Sequence, residues 1–283
     1  MRLSKNPVII SSSGLTNSAA KNAKLEAAGA GAIVLKSLFE EQIMMEADRL
    51  RNPSYYPEGS DYLAEYIRNH KLAEYLELIK ESKKICTIPV IASINCYTDA
   101  EWVDFAKQIE EAGADALEIN ILALQSDIQY KYGSFEQRHI DILSHIKKTI
   151  RIPVIMKLGS NFTNPVALID QLYANGAAAV VLFNRFYQPD IDVEKMEHTS
   201  GDVFSNASDL STTLRWIGIS SSLVSKIDYA ASGGIHKPDG IVKAILAGAS
   251  AIEICSAIYQ NTNLFVGEMN RFLSAWMERK GFK

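Results

Sequence analysis

The sequence contains few cysteines and histidines and no long apolar run. Its three cysteines, Cys86, Cys96 and Cys255, are far apart and form no C-x-x-C pair. A disulfide scaffold or a cysteine-ligated cluster is therefore not expected, whereas a reduced, cytoplasmic protein is. The five histidines show no H-x-x-x-H spacing, so no metal site is indicated. No segment has the length of a transmembrane helix or the pattern of a signal peptide, and we expect no membrane association.

The sequence also lacks a large excess of either acidic or basic residues. The net charge is −4, without a block of lysine or arginine, so no nucleic-acid surface is expected, although a small pocket for an anion is compatible with this balance. Hydrophobic residues make up 47% of the chain and charged residues 22%, which is typical of a globular protein and not of a disordered or coiled-coil one. We expect one domain over residues 1–283 that acts on a small-molecule substrate.

Four segments share a pattern in which a helix end, a glycine and a buried strand follow one another. A second pattern, a proline that opens an apolar strand, occurs three times, and one further strand begins at Asp228. The glycine segments are EAAGAGAIVLKS (26–37), EEAGADALEIN (110–120), YANGAAAVVLFN (173–184) and ILAGASAIEICS (245–256), and the proline segments are NPVIISSSG from Asn6, IPVIASIN from Ile88 and IPVIMKLG from Ile152. The sequence thus predicts eight strands, each followed by room for a helix.

The eight strands predict a closed parallel barrel. Near-continuous apolar strands are typical of parallel sheets that are covered on both faces, and a glycine after a helix indicates a left-handed residue that ends it. A doubly wound open sheet also alternates strands and helices, but it seldom has eight even repeats with a polar residue closing each strand. We predict a single α/β domain, a (β/α)8 TIM barrel, with helices over 19–28, 62–80, 100–112, 135–149, 165–173, 208–222, 238–246 and 264–279.

Two connections are unusually long. Residues 38–61 follow the second strand and contain Asn52-Pro53 and a Tyr55-Tyr56-Pro57 cluster, and residues 185–208 follow the sixth strand. Long loops within a compact domain are usually functional, and both should emerge at the strand ends where barrels carry their active sites. Residues 124–134 form a third, shorter candidate lid.

Polar residues close the strands, and in a barrel such residues face one shared pocket. The seventh strand ends in Gly233-Gly234, where backbone N–H groups and the following helix start can hold a phosphate. Lysines and neutral amides suit a heteroaromatic ligand, and a lysine beside a reducible ring can stabilise the negative charge that hydride addition leaves there. The candidate site residues are Ser12, Ser13, Gly14, Lys36, Ser37, Asn95, Asn120, Lys157, Asn184, Arg185, Gly233, Gly234, Cys255 and Ser256.

Each of these residues also has a purely structural interpretation. The asparagines could hydrogen-bond their own backbone in strand-end turns. Lys36 and Lys157 could extend to solvent from the barrel rim, Cys255 could be a small buried hydrophobe, and the diglycine could form a turn without a ligand. The functional hypothesis depends on the agreement of eight strands and not on any single residue.

With these motifs the sequence resembles the dihydroorotate dehydrogenase family, FMN-containing (β/α)8 barrels, over nearly its whole length. The diglycine segment is the most specific motif, although it is typical of FMN barrels more broadly. The matching motifs are Ser12-Ser13-Gly14, Lys36-Ser37, Asn120 in EINI, Lys157 in PVIMKLG, Asn184, SGGIHKPDGIVKAILAGAS and Cys255-Ser256.

The resemblance implies a role for each matching residue and a homodimeric assembly. Lys157 is implied to lie at the pyrimidine edge of the flavin, and Asn120 to face both the flavin and the substrate. Lys36 and Asn184 are implied substrate contacts. The implied neighbours of the flavin ring are Ser12, Ser13 and Gly14, and those of the FMN phosphate are Gly233, Gly234, Cys255 and Ser256.

Two stretches depart from the family pattern. In the family a short Cys-Pro or Ser-Pro motif after the matching asparagine lies near the catalytic base, whereas here Ala123 occupies that position and Ser126 follows three residues later. The asparagine- and glycine-rich substrate loop after the second strand is replaced by NPSYYP at 52–57. We predict Ser126 as the catalytic residue that handles the proton.

The favoured hypothesis is an FMN-dependent oxidoreductase that acts on a CH–CH bond of a small polar, dihydroorotate-like substrate. Its electron acceptor stays open among a quinone, fumarate, a nicotinamide cofactor and a partner iron–sulfur flavoprotein. Alternatively, Lys157 could form a Schiff base in an aldolase or isomerase of a phosphorylated substrate, with Glu118 or Glu253 as proton carrier. A barrel that binds FMN without turnover is a third alternative, since the usual base position is replaced.

Overall fold

Eight parallel strands form the centre of the molecule. A computed structural model describes residues 5–39, 57–96, 102–121, 123–186 and 188–282, with side chains from residue 66 onward in the second range. The barrel strands are β1 (Val8–Ile10), β2 (Ala32–Val34), β3 (Val90–Asn95), β4 (Ala116–Asn120), β5 (Val154–Leu158), β6 (Ala179–Leu182), β7 (Asp228–Ser232) and β8 (Ala251–Ile254).

These strands close on themselves. Each pairs in parallel with the next along the chain, from β1–β2 to β7–β8, and β8 pairs with β1 through the register of Ile9 with Glu253. Because each of the eight barrel strands has a partner on both sides, the barrel is closed. The prediction of a (β/α)8 barrel is confirmed, and the open doubly wound sheet is excluded.

In the described part of the chain, eight outer helices connect the strands and cover the barrel. They are α1 (Ala19–Ala27), α2 (Pro57–Ile85), α3 (Trp102–Glu111), α4 (Ser134–Thr149), α5 (Pro165–Ala174), α6 (Asp209–Leu223), α7 (Asp239–Ala247) and α8 (Leu264–Lys280). Seven of them lie within two residues of the predicted bounds at each end. The exception is α2, for which the predicted range 62–80 is too short at both ends. No helix in the described part of the chain has the length and apolar composition needed to cross a bilayer.

The four glycine repeats end their helices in the predicted way. Gly29, Gly113, Gly176 and Gly248 all have φ between 94° and 114°, a conformation that glycine adopts without the steric cost of a side chain. In each repeat the N–H of the following alanine bonds back across the last helical turn, as in Ala114 to Ile109 and Ala249 to Ala244. The left-handed glycine and this hydrogen bond together end the helix and direct the chain straight into the next strand.

The barrel interior begins with an apolar layer. One buried apolar cluster draws residues from seven strands, and the partly buried Ala251 of the eighth strand packs against it, which is feasible only on the inner face of the barrel. The members nearest the strand starts are Ile9, Ala32, Ile91, Ala116, Ile155, Ala179 and Ala230. Side chains two residues apart share a face of a strand. The next inward positions therefore include Ser11, Ser93, Glu118, Lys157, Ser232 and Glu253, so the interior turns from apolar to charged toward the carboxyl ends.

The long connections lie at this charged end. After β2 a two-residue strand, Leu38–Phe39, pairs with Ile94 and Asn95 of β3, and the NPSYY cluster at 52–56 lies outside the described residues. After β6 the chain forms an antiparallel hairpin of Pro189–Asp192 with Glu197–Ser200. After β8 the short helix Ser256–Asn261 precedes α8.

Candidate functional site

A cavity of about 290 Å³ opens at the carboxyl ends of the strands. Lys157 of β5 and Gly233-Gly234 after β7 both line it, together with Ser12, Asn184, Arg185, Cys255 and Ser256. A second cavity of about 190 Å³ shares the wall formed by Asn184, Arg185 and Phe186. The structure thus brings eight of the predicted site residues to one place, although they come from five separate strand ends.

Lys157 is fixed by two other strands. Its Nζ donates to Glu253 Oε2 at 2.7 Å and to Ser11 Oγ at 2.8 Å, and it lies 3.6 Å from Glu118 Oε1. Ser11 Oγ in turn donates to Glu253 Oε2 at 3.1 Å. All four residues are buried, with Lys157 only 5% exposed. Lys157 therefore does not extend to solvent from the rim, and that structural interpretation is wrong.

The three ionisable groups, Lys157, Glu118 and Glu253, shift one another's pKa values. Burial opposes the charge of Lys157, but the carboxyl groups of Glu118 and Glu253 outweigh it and raise the lysine pKa. Burial would also raise the pKa of Glu253, yet Lys157 and its hydrogen bonds bring it below the ordinary value. Burial and the charge of Glu253 raise the pKa of Glu118 to about 8. At neutral pH the cluster thus holds an ammonium, a carboxylate and a neutral carboxylic acid.

A chain of serine hydroxyls leads to this cluster. Ser12 Oγ and Ser37 Oγ are 2.9 Å apart, and Ser37 Oγ and Ser93 Oγ are 2.7 Å apart. Ser93 Oγ donates to Glu118 Oε1 at 3.3 Å, and its backbone N–H donates to the Tyr75 hydroxyl at 2.6 Å. The first three strands are therefore joined by hydroxyl groups at the level of the candidate site.

The diglycine turn packs directly against the start of α6. Gly234 has φ 75°, and a Cβ there would lie 2.8 Å from Leu210 Cα and overlap Leu210 N. Gly233 has φ 89° and open space where its side chain would be, so its backbone is accessible from the cavity. The helix α7 begins at Asp239, five residues after the turn, so its start is not directly next to the glycines.

The loop after β6 returns to the diglycine end of the cavity. Ser205 of this loop accepts or donates a hydrogen bond with His236 Nε2 at 2.9 Å, and its N–H donates to Ser256 Oγ at 3.1 Å. Ser205 therefore joins Gly233, Gly234 and Ser256 as a group that an anion could contact here. The sequence indicated only that this loop is functional, not which residue reaches the site.

Arg185 and Asn184 line the cavity but also have structural partners. Arg185 Nη1 pairs with Asp209 Oδ2 at 2.9 Å, and its Nη2 donates to the Asp202 carbonyl at 2.7 Å. Asn184 Oδ1 accepts the N–H of Arg185 at 2.8 Å, the local turn bond considered from the sequence. Arg185 therefore connects both ends of the long loop, and its predicted contact with substrate stays a prediction.

Two predicted residues, Asn95 and Asn120, lie on the strands next to Lys157 without lining the described cavity. Asn95 is in register with Asn120, and Asn120 with Lys157, so the two amides continue the row that Lys157 begins. Among the described residues, the buried Asn120 Oδ1 has no hydrogen-bond partner. A buried amide oxygen without a donor is costly, and a ligand N–H at this position would satisfy it.

The remaining predicted residues surround these groups. Ser13 caps the 3-10 turn Gly14–Thr16 and contacts the Cys255 thiol, whose pKa burial raises. Lys36 is exposed, and Ser37 belongs to the hydroxyl chain. Ser126 is exposed in the loop after β4 and does not line the described cavity. Its catalytic role stays a prediction.

The two carboxyl groups are the main feature that the sequence-based site did not include. Glu118 and Glu253 entered only as proton carriers of the aldolase hypothesis, since each stands two residues before its strand end. The signal that identifies them is strand alternation: each follows an inward alanine, Ala116 or Ala251, by two residues.

Fold and cavity together define a (β/α)8-barrel enzyme with a polar site at the carboxyl ends of its strands. A sequence model of the family described as dihydroorotate dehydrogenase matches residues 3–277, nearly the whole chain. The chain belongs to the dihydroorotate dehydrogenase family, as its motifs predicted. The prediction of a dihydroorotate dehydrogenase-like oxidoreductase is confirmed by this membership.

Individual relatives agree with the family assignment. The chain is 26% identical over 285 residues to the dihydroorotate dehydrogenase B (NAD(+)) catalytic subunit of Methanosarcina acetivorans, covering 98% of this chain and 89% of the relative. The protein of the same name from Methanocella arvoryzae is 28% identical over 292 residues, with 99% and 91% covered. That from Thermoplasma volcanium is 26% identical over 287 residues, with 98% and 91% covered.

Proposed function

We propose that the protein is an FMN-dependent oxidoreductase that acts on a CH–CH bond of a small polar, pyrimidine-like substrate. The observation that carries the proposal is that Lys157 and the Gly233-Gly234 turn border one cavity. A flavin mononucleotide has a polar heteroaromatic ring at one end and a phosphate at the other. Lys157 suits the ring end, and the Gly233-Gly234 turn suits the phosphate end. Family membership and the curated names of the relatives support the same chemistry.

The donors and acceptors of the site fit FMN. The open space and left-handed backbone at Gly233 leave room for a phosphate to approach the main chain, and the Ser205 and Ser256 hydroxyls lie beside it. At the other end the Lys157 ammonium and the unsatisfied Asn120 Oδ1 suit the carbonyl and N–H groups of a pyrimidine edge. We propose that these residues, with Ser12, Ser13 and Gly14 beside the ring, hold the cofactor.

When bound, FMN would supply the hydride-transfer chemistry that amino-acid side chains lack. Lys157 would place a fixed positive charge against the ring edge, because Glu253 and Ser11 prevent the ammonium from moving. Such a preorganised charge costs no reorganisation when negative charge develops next to it. The apolar layer of Ile155 and Ala179 below the cluster keeps bulk water from entering the site through the barrel.

We propose Ser126 as the group that exchanges a proton with the substrate through its Oγ. It lies in the exposed loop after β4, six residues beyond Asn120 at the strand end, and the Ala123 carbonyl of this loop accepts a hydrogen bond from Asn161 Nδ2 at 3.3 Å. Lys36, Asn184 and Arg185 are the proposed substrate contacts.

The partner and the location are proposed from the same sources. The relatives are named as NAD(+)-dependent catalytic subunits, so a second protein that carries electrons to a nicotinamide cofactor is one acceptor for this chain. We also propose that the chain forms a homodimer and functions in the cytoplasm, where its free cysteines stay reduced.

The Schiff-base alternative is disfavoured by the state of Lys157. A Schiff base requires a free amine, whereas the neighbouring carboxyl groups raise the pKa of Lys157 and keep it an ammonium. The alternative of a barrel that binds FMN without turnover depends on Ala123 at the usual base position, and the half-reaction described below separates it from a catalytic barrel.

The direct test is an anaerobic half-reaction. FMN-loaded protein is mixed with dihydroorotate, and flavin absorbance reports reduction. We expect bleaching by dihydroorotate or a close analogue, and a loss of roughly 100-fold or more in rate for Ser126→Ala. Ser222→Ala, on an exposed position of α6, is the matched control and should react as the unaltered protein does. Unchanged turnover in Ser126→Ala would remove the serine from the mechanism; protein that never binds FMN would refute the proposed function.

A further inference from the structure

The serine chain and the two carboxyl groups form a continuous hydrogen-bonded path into the barrel. Ser12 lines the cavity and is half-buried, whereas Ser93 and Glu118 are at most 1% exposed. Each step between neighbouring oxygens, from Ser12 to Ser37, Ser93 and Glu118, is between 2.7 and 3.3 Å. The path therefore leads from the candidate ligand site to an acid that solvent does not reach directly.

The end of the path has one more carboxyl group than cations. Lys157 faces both Glu118 and Glu253, at 3.6 and 2.7 Å. Glu118 Oε2 is buried and has no hydrogen-bond partner among the described residues. A buried carboxylate oxygen without a donor is costly, and one ammonium balances only one of two negative charges, so we infer that one of the two carboxyl groups is protonated.

Geometry also decides which carboxyl group carries the proton. Glu253 accepts hydrogen bonds from Lys157 and Ser11 on the same oxygen, and such charge-assisted bonds favour the ionised form. Glu118 accepts a single hydrogen bond from the neutral Ser93 hydroxyl and lies farther from the ammonium. The carboxylate is therefore Glu253, and the acid is Glu118.

We propose that Glu118 and Glu253 hold one proton between them in the barrel interior, that Glu118 carries it, and that the hydroxyls of Ser12, Ser37 and Ser93 connect this site to the cavity. Glu253 is then a positioning residue for Lys157, and Glu118 is a proton reservoir beneath the ligand. The relay and the reservoir stand on the contacts of the chain itself, whereas their link to a flavin rests on the proposed function.

The transfer needs no redox partner. A proton from the cavity enters at Ser12 Oγ, each hydroxyl passes its own proton to the next oxygen, and the Glu118 carboxylate becomes a carboxylic acid. No covalent bond other than O–H bonds forms or breaks. The two serine–serine contacts permit either oxygen to donate, so the chain can reverse direction.

Few other titratable groups surround this site in the described part of the chain. The Tyr75 hydroxyl reaches it from α2, and burial raises the pKa of Tyr75 above its ordinary value. The Cys255 thiol lies near Lys157, and burial raises its pKa as well. Both groups are neutral at physiological pH, so the charge of the cluster depends on Glu118, Glu253 and Lys157. It changes from zero to −1 when Glu118 ionises.

The reservoir is tested without any cofactor. Infrared spectra of the cofactor-free protein between pH 6 and 10 should show a buried carboxylic-acid band that disappears with a midpoint near pH 8, the region to which burial raises the pKa of Glu118. The band should be absent in Glu118→Gln. In Glu253→Gln the midpoint should fall, because the neighbouring negative charge is gone; this variant also serves if Glu118→Gln does not fold. A band that persists in Glu118→Gln, or no band in the unaltered protein, would overturn the assignment.

The relay is tested by the rate of the same change. After a pH jump, Ser37→Ala should lose the band at least about tenfold more slowly than the unaltered protein while keeping its midpoint, because the hydroxyl path is interrupted. Ser220→Ala removes a buried hydroxyl in α6, outside the path, and is the control, with an unchanged rate. Equal rates in both variants would show that protons reach Glu118 by another route.

The link to the flavin has its own measurement. In FMN-loaded protein above pH 8, reduction should be accompanied by uptake of one more proton in the unaltered protein than in Glu118→Gln, visible as a steeper pH dependence of the flavin reduction potential. Equal slopes would disconnect the reservoir from the flavin. Protein that fails to bind FMN would contradict the proposed function, whereas the infrared result would still decide the reservoir.

Discussion

Lys157 shows how a single residue acquires its role from distant parts of the chain. The lysine itself is conspicuous in the sequence, since it interrupts the apolar strand PVIMKLG. Its partners are not, because Glu253 is 96 residues away and only barrel closure brings β8 within reach. A lysine on the inner face could be predicted, whereas its salt bridge and its lack of exposure could not.

At the residue scale, Glu118 should make the stability of the protein depend on pH. Its pKa is 4.5 in an ordinary environment and about 8 in the fold, so the folded state holds a proton that the unfolded state releases between these values. Stability from this group is thus complete below pH 4.5 and is lost as the pH rises to 8, with a slope of up to about 1.4 kcal/mol per pH unit.

Denaturant unfolding at pH 5 and pH 8 measures this dependence in the unaltered protein and in Glu118→Gln. We expect the unaltered protein to lose more stability over this interval than the variant. Burial lowers the pKa of the His139 ring to about 4, so this histidine makes the folded state more stable as the pH rises. Its contribution is the same in both proteins and cancels in the comparison. Parallel pH profiles would show that Glu118 does not carry the proton.

At the element scale, the diglycine turn is defined by its contact with α6. Alanine at 233 meets open space and bears only the cost of its left-handed backbone, about 1–2 kcal/mol. Alanine at 234 bears the same cost and also overlaps the backbone of Leu210, which should bring the loss to about 3 kcal/mol or more.

Chemical unfolding of Gly233→Ala and Gly234→Ala compares these neighbouring glycines directly. Gly234→Ala should also lose affinity for FMN or inorganic phosphate, because the turn must move away from α6. Equal losses of stability in the two variants would contradict the packing of the turn described above.

Some helices and strands could be predicted from the sequence, and others could not. The four glycine-ended helices are confirmed because their closing hydrogen bonds lie within six residues, so local sequence determines them. The hairpin at 189–200 was not predicted, since its strands are largely exposed and show no apolar alternation. The C-terminal end of α2 was missed because polar residues such as Glu81 and Lys84 carry no apolar periodicity beyond residue 80.

At the scale of the whole molecule, barrel closure is what creates the site. The ends of eight strands, none of which is a specific motif by itself, meet around one opening. The number and regular spacing of the repeats in the sequence predicted this arrangement. It also predicted that Lys157 and Gly233-Gly234 would share a pocket, which they do. Which inward side chains pair across the barrel depends on the register of all eight strands, and no single strand contains that information.

The measurement that tests the account most directly is an equilibrium titration of the cofactor-free protein with FMN, followed by flavin fluorescence and visible absorbance. We expect saturable binding of one FMN per chain, weakened about tenfold or more in Gly234→Ala, whose backbone overlap displaces the phosphate end of the site. Absence of saturable binding, or identical binding by this variant, would contradict a cavity shaped around the ring and phosphate of a flavin.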